Sequence, residues 1–469
     1  MPKNRNTAAK KANNKLGYQI RPGKICLNMI VKNEAHFVEA PDKSKVPVIK
    51  RCLDSVGHLL DAIAIVDTGS SDKTIEIIES CADDRNLPCE VIVDPWRDDF
   101  AYSRNVALDH SQNVVNKIQK KELKYSPNET SDLWYCLFMD ADNLAFATDG
   151  VSPIQINKDR LGADAYEIEM KQGGSQYGYV WLVKIDPKKP WKWYSPRHEY
   201  ITPLKDANKK QTWEAKFGHI DGYIDSRREG ARSLDAKKYL RDAIAFEKAL
   251  IEEPIDDRYL YYLAQSYKDA AKQYYQQASV EKEKANNKDL PEEERTIASN
   301  KYTQIIQQGA LYWNRAEKAY VYRASVPPFN YWDDEYTYNA WVEAGKIRKY
   351  RKGGYDSKCL EYFSQAHQKR PHRLEAPYYI LEYYLQIKGY RVGWAFAKDL
   401  VKLPYPKGEK IFVDDVIHNY NFVFQASLLA YYANAKDDFV TLSKLTFRNP
   451  LAPENIKDSA KSNLEKFGK

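Results

Sequence analysis

Two carboxylates, Asp140 and Asp142, stand two residues apart at the end of the apolar run WYCLFM (residues 134–139). A run of that length reads as a strand buried on both faces of a parallel sheet. Open α/β sheets take their ligands in the crevice beyond the carboxyl ends of the strands. Residues i and i+2 of an extended segment share a side, so Asp140 and Asp142 are expected to aim at one hard cation and the polyphosphate it carries. The plainer reading is a strand that ends in an acidic turn. An earlier strand end is also acidic. Asp67 closes AIAIVD (62–67), and Thr68-Gly69-Ser70-Ser71-Asp72-Lys73-Thr74 follows. Glycine there permits close backbone approach, and a helix start offers free N–H groups. Asp67 thus suits the role of acceptor for a nucleobase or ribose, although Asp and Ser also cap helices for structural reasons alone. Arg104, near the start of a helical pattern at Phe100, is placed to hold Asp140 or to reach a phosphate.

The elements that must position these groups alternate in type. Strands are expected at 24–31, 62–67, 91–94 and 134–139, with helices at 48–60, 73–82 and 100–113 between them. That alternation predicts a mostly parallel sheet covered on both faces. Residues 116–132, rich in Lys and Glu, read as a surface loop inserted before the fourth strand. From about 234 onward strand signals stop. Asp242, Phe246, Ala249 and Pro254 share their spacing with Cys359, Phe363, Ala366 and Pro371. This is the second-helix pattern of tetratricopeptide repeats. Leu260, Leu263, Ala264 and Tyr267, and likewise Trp341, Ala344 and Gly345, fit the first helix of such a repeat. Residues 279–300 are charged and poor in apolar side chains, as a solvated helix or loop between repeats would be.

The chain has 469 residues, too many for one ordinary core, so two or three domains are expected. A net charge of +7, with both signs interspersed, gives no case for nucleic acid as the main partner. The exception is the acid-free basic start, residues 1–23, which reads as a disordered tail. Six cysteines lie scattered, with no short metal-type pair, which points to a reducing cytoplasmic setting. No stretch has the length and apolarity of a membrane span, and the start lacks the apolar core of a signal peptide.

Taken together, four elements resemble the family 2 glycosyltransferases of GT-A fold. They are Asn28-Met29-Ile30-Val31-Lys32-Asn33-Glu34, the Val66–Thr74 turn, Ser103-Arg104-Asn105, and Met139-Asp140-Ala141-Asp142. The resemblance covers residues 24–233. It extends, through His198-Glu199-Tyr200, Gly230-Ala231-Arg232-Ser233 and the stretch 258–267, to a subgroup with tetratricopeptide-like helices, here 234–469. That subgroup includes enzymes that glycosylate peptides or proteins, some of them at cysteine.

The resemblance implies a Rossmann-like α/β catalytic domain, an inverting mechanism and a nucleotide-sugar donor, expected to be a UDP-hexose. It also implies a Mn²⁺ or Mg²⁺ ion held by Asp140, Asp142 and His198. Asn33, Glu34, Asp67, Arg104, Asp140, Arg228 and Arg232 would bind the donor, with Arg227, Arg228 and Arg232 on a Gly230-containing loop able to close over the diphosphate. Asp142 counts with the catalytic set. The base that takes the acceptor proton is expected to be Glu199, with Glu167, Glu169 and Asp221 in reserve. Trp191 and Trp193 either stack on sugar faces or form a second small core. The acceptor would be a protein, a peptide or a glycan on one, held by the helical array; a homodimer interface is the other use for those surfaces. Two rivals remain. One is a tetratricopeptide scaffold without catalysis, and the other a sugar nucleotidyltransferase. The second is disfavoured because Lys32-Asn33-Glu34-Ala35-His36 lacks the glycine-rich loop such enzymes carry after the first strand.

Overall fold

The computed structural model describes residues 22–125, 133–173, 175–206, 210–235, 237–327, 331–409 and 412–467. The chain forms two compact units, Met1–Lys238 and Tyr239–Lys469. In the first, β1 (Lys24–Val31) leads through a small hairpin, β2 (Phe37–Glu39) and β3 (Lys45–Pro47), to α1 (Val48–Val56). Then follow β4 (Ala62–Asp67), α2 (Thr74–Asp83), β5 (Cys89–Val93), α3 (Phe100–Tyr125), β6 (Trp134–Phe138) and β7 (Asn143–Phe146). The rest of the unit is β8 (Ala165–Gln172), β9 (Ser175–Lys184), β10 (Trp191–Tyr194), β11 (Tyr200–Pro203) and β12 (Phe217–Ser226).

Eight of these strands build one sheet in the order β5-β4-β1-β6-β9-β8-β12-β7. Its β5-β4-β1-β6 half is parallel. β9 then runs antiparallel between β6 and β8, and β7 antiparallel to β12. Every residue of β4 and β6 is buried, which explains their unbroken apolar character. On one face Ile25, Leu27 and Met29 belong to the large core with Ile49, Cys52 and Leu53 of α1 and Ile78 of α2. Cys26, Ala62, Ala64 and Trp134 form a separate cluster with Val114 and Val115 of α3.

The expected elements are present with shifted ends. The helix expected over 48–60 finishes at Val56 and continues only as a short 3₁₀ turn, Gly57–Leu59. The third strand starts earlier, at Cys89, and the helix expected over 73–82 runs Thr74–Asp83. The larger correction concerns residues 116–125, expected as loop, which prolong α3 to Tyr125. Their Lys and Glu side chains occupy the solvent face of a helix whose Val114 and Val115 are in the core. Lys117 pairs with Glu90 and Glu122 with Lys24. The remainder of that insertion, 126–132, and the basic tail through residue 21 lie outside the described residues.

Among the described residues of the second unit every regular element is a helix. It comprises α4 (Lys238–Glu252), α5 (Asp257–Asn286), α6 (Glu292–Ser325), α7 (Tyr331–Lys352), α8 (Ser357–Lys369), α9 (Glu375–Gln386), α10 (Tyr390–Leu400), α11 (Phe422–Tyr432), α12 (Lys436–Arg448) and α13 (Glu454–Phe467). The repeat pattern finds its physical basis at Gly345. A Cβ there would lie 2.5 Å from the Phe363 ring, so α7 and α8 pack too closely for any side chain. Phe246 and Phe363, at matching repeat positions, are fully buried. The charged stretch 279–300 is the tip of the α5–α6 hairpin. No helix among the described residues is long and apolar enough to cross a membrane.

Inside this unit Glu343 is almost fully buried between Lys268 and Lys346, at 2.8 and 2.6 Å. Burial alone would raise its pKa, but the two ammonium groups outweigh it and push the carboxyl down to about 2. A depressed folded-state pKa gives stability that is present above the ordinary Glu value and lost as pH falls through the folded one. Acidification from pH 5 to pH 2 should therefore remove on the order of 3 kcal/mol from this group alone. Urea unfolding of Glu343→Gln over that range should show a correspondingly flatter acid dependence.

Candidate active site

The parallel register sets the carboxyl ends of three strands side by side. Val31 pairs with Asp67 across β1–β4, and Asn28 with Phe138 across β1–β6. The residues that follow each strand therefore gather at one edge of the sheet, as the crevice rule requires. After β1, Asn33 takes a left-handed φ of 57°, a conformation that Asn tolerates better than most residues. Its N–H donates to Ser70 Oγ at 2.9 Å, and its Oδ1 accepts from the Ser71 N–H at 2.8 Å. The Glu34 and Ala35 N–H groups donate to Thr74 Oγ1 and Asp72 Oδ2. The turns after β1 and β4 are thus zipped together, and Asn33, Ser70, Ser71, Asp72 and Thr74 serve as scaffold.

Asp67 is 1% exposed. Its Oδ1 accepts from the N–H groups of Gly69 and Ser70, at 2.8 and 2.7 Å, while its Oδ2 is buried with no hydrogen-bond partner. A buried carboxylate oxygen lacking a donor is costly unless something supplies one. The N–H of a nucleobase or a ribose hydroxyl would do so. Asp94, just past β5, has a buried Oδ2 in the same condition. Its N–H donates to the Asp67 carbonyl.

Arg104 enters from the first turns of α3. Its Nη2 donates to Asp140 Oδ1 at 2.7 Å and its Nε to Glu199 Oε1 at 2.8 Å. Its guanidinium lies over the Trp193 ring, 5.0 Å from the centroid. Burial would weaken that charge, but Asp140 and Glu199 together raise its pKa. Burial likewise works against an ionised Glu199, yet Arg104, with Arg232 adding to it, holds the carboxyl below the ordinary range. Glu199 is therefore ionised and occupied on one oxygen.

Asp142 faces the segment after β12. Its Oδ2 accepts from the Gly230 N–H at 3.0 Å, and both oxygens of Glu34 accept from the Ala231 N–H at 3.3 Å. Two carboxylates thus meet consecutive amides of one loop. The loop is pinned at Glu229, whose side chain pairs with buried Arg51 and whose carbonyl meets His36 Nε2. Burial raises the pKa of Asp142, with Asp140 adding to it. Burial first, then Asp142 and Asp140, lift Glu34 to about 7 despite the Ala231 contact. Desolvated oxygen donors that repel one another are what a hard divalent cation relieves, so the donor set here fits Mn²⁺ or Mg²⁺. Among the described residues, no three His, Cys, Asp or Glu side chains already stand in a metal-binding arrangement.

The other expected residues are spread more widely. His198 is exposed on a turn with φ 50°, and Arg228 is exposed with φ 57°. Arg232 lies over the Phe100 ring at 4.3 Å. Arg227 pairs with Asp225 at 2.8 Å. Among the reserve carboxylates, Glu169 accepts from Gln176 Nε2 and Glu167 is exposed. Asp221 is 94% exposed beside His219. Trp191 and Trp193 are buried, and Trp193 packs edge-on against Phe138, so both belong to the core. Sequence reasoning marked the Gly230 loop but not its amides' contacts, and it missed Arg51, Asp94 and the Arg197–Asp98 pair. Strand-end position after β5 is the one cue that singles out Asp94.

Residues 43–148 match the family model described as Glycosyl transferase family 2. Over 96 residues the chain is 31% identical to the SPbeta prophage-derived glycosyltransferase SunS of Bacillus subtilis (strain 168), and equally to glycosyltransferase SunS of Bacillus phage SPbeta. The matched segment is 20% of this chain and 17% of either relative. Among solved structures, TTC0263, a thermophilic TPR protein of Thermus thermophilus, aligns over 49% of this chain and 91% of its own at 12% identity. Its TM-score of 0.20 is too low to argue from.

Proposed function

We propose that this chain, which carries a glycosyltransferase family 2 domain in its first unit, transfers a hexose from a uridine diphosphate sugar to an acceptor with inversion and with a divalent cation. The observation that carries this reading is the convergence of Asp67, Asp140 and Asp142 on the carboxyl edge of the sheet, under a loop whose amides grip Asp142 and Glu34. Asp67 Oδ2 takes a donor from the nucleoside. Asp140, Asp142 and His198 would hold Mn²⁺ or Mg²⁺, whose chemistry is to neutralise charge on the departing diphosphate. Arg228 and Arg232, on the same loop, supply guanidinium groups to phosphate oxygens. Glu199 accepts the proton of the attacking group, since it is ionised at neutral pH before the acceptor arrives. The contact of Glu199 with Arg104 favours a second role as well, that of holding the guanidinium on Asp140.

The helical-hairpin array is the proposed holder of a protein or peptide acceptor, because stacked hairpins present long continuous surfaces. A second copy of the chain is the alternative occupant. The test is a donor screen of the full chain. Release of UDP or GDP from common nucleotide sugars is measured with and without Mn²⁺, with mass spectrometry of the acceptor product. Metal-dependent UDP release supports the reading; a folded protein that hydrolyses or transfers none of them overturns it. Within that screen, Asp67→Asn retains the acceptor for Gly69 and Ser70 but turns an N–H toward the nucleoside. Loss of one charge-assisted hydrogen bond should raise the Kd for UDP by roughly 10- to 100-fold, as titration calorimetry would report, with no loss of thermal stability.

A further inference from the structure

Two turns beside the candidate site hold non-glycine residues in left-handed backbone conformations. Ser195 has φ 76° and His198 φ 50°, and across from them Asp98 has φ 61°. Such residues persist there only where their surroundings enforce it, and strain of this kind gathers at working sites. The enforcing group is Arg197, which is 3% exposed. Its Nη1 donates to the Asp98 and Pro196 carbonyls, both at 2.8 Å, and its Nη2 to Asp98 Oδ1 at 2.5 Å. The Ser195 hydroxyl donates to the Arg197 carbonyl, and the Phe100 N–H to the Pro196 carbonyl. The Arg197 guanidinium also lies near the Trp96 and Phe100 rings, at 5.5 and 5.1 Å from their centroids.

This clamp has two ends. Trp96 donates its backbone N–H to the carbonyl of Thr68, in the turn that carries Asp67. Phe100 receives Arg232 from the loop that grips Asp142 and Glu34. We propose that Arg197 is a positioning residue that fixes the His198–Glu199 turn relative to the nucleotide-binding turn, through Asp98 and the Trp96–Phe100 pair, without touching the donor. A guanidinium suits the task because its rigid planar fork holds two carbonyls and a carboxylate in fixed directions, whereas an ammonium is a compact point charge on a flexible stem.

The inference rests on the glycosyl-transfer reading above, with His198 as a cation ligand. Its test measures Mn²⁺ binding to the full chain saturated with UDP, by calorimetry, for wild type, Arg197→Lys, Asp98→Asn, His198→Ala and the double variant His198→Ala with Arg197→Lys. Groups that orient a metal ligand are worth roughly 10- to 100-fold in metal affinity. Arg197→Lys and Asp98→Asn should each weaken Mn²⁺ by about 10-fold or more while leaving metal-free UDP binding within about twofold. The double variant should bind no more weakly than His198→Ala alone, because both changes remove the same contribution. Asp98→Asn keeps a residue that tolerates the left-handed conformation, so it folds even if the arginine variant does not. Wild-type Mn²⁺ affinity in both single variants, or full additivity in the double, overturns the positioning role and leaves the glycosyl-transfer reading standing. A wild-type protein that binds UDP with no response to Mn²⁺ overturns both.

Discussion

Asp142→Asn is expected to lower metal-dependent turnover by roughly 10³-fold, about 4 kcal/mol of barrier, while making the protein more stable at neutral pH. The two halves of this expectation have one cause. Asp142 is half-buried, and desolvation together with the neighbouring Asp140 raises its pKa. A carboxylate whose folded-state pKa lies above its unfolded value penalises the fold at every pH where it is ionised. Asparagine removes that penalty and retains an oxygen for the Gly230 N–H, which Asp142 now serves at 3.0 Å. What it cannot supply is the negative charge that holds a divalent cation against a diphosphate. Steady-state UDP release with a Mn²⁺ titration measures the first half, and thermal unfolding without metal the second. A variant that loses both activity and stability would make Asp142 a structural residue, and one that keeps its activity would place the chemistry elsewhere.

Strong, local signals made the fold of the first unit readable from sequence. The strands β1, β4 and β6 are mostly apolar because helices cover both their faces, and no surface alternation confuses their period. The candidate site was legible as far as it lay at those strand ends: the placement of Asp67, Asp140 and Asp142 along the carboxyl edge of the sheet follows from position alone. Arg104 was expected either to hold Asp140 or to reach a phosphate, and it holds Asp140, at 2.7 Å.

Other parts were hidden for identifiable reasons. Residues 116–125 looked like loop because a helix lying on a sheet shows the sequence mostly its wet face. Trp191 and Trp193 carry equal promise as sugar platforms or as core, and only burial decides between them. The grip of the Gly230–Ala231 amides on Asp142 and Glu34 is made by backbone groups, which every residue has and no motif advertises. Arg197 and Asp98 lie 99 residues apart, and their pairing depends on strained turns that the residue types Ser, His and Asp do not demand.

Removing Arg104 should cost stability where removing Asp142 adds it, and in a way that pH exposes. Arg104 is nearly buried between Asp140 and Glu199, with its face on Trp193. Arg104→Met fills similar volume but leaves the desolvated Glu199 carboxylate with only the weaker influence of Arg232 as counter-charge, a loss of about 3 kcal/mol at pH 7. Arg104→Lys retains one contact and forfeits the fork, so it should fall between. The acid dependence separates this from ordinary loss of packing. In the wild type, Arg104 holds the pKa of Glu199 below its ordinary value despite burial, so its contribution is present above the ordinary Glu range and fades as pH falls through the folded value. Without the guanidinium, burial is left in charge and the sign reverses: protonation relieves the methionine variant instead of harming it. The stability gap between wild type and Arg104→Met, from urea unfolding at pH 7, 5 and 4, should therefore narrow steadily on acidification. A gap constant across that range would mean that Arg104 contributes packing alone. The Glu199 charge would then be balanced by some other group.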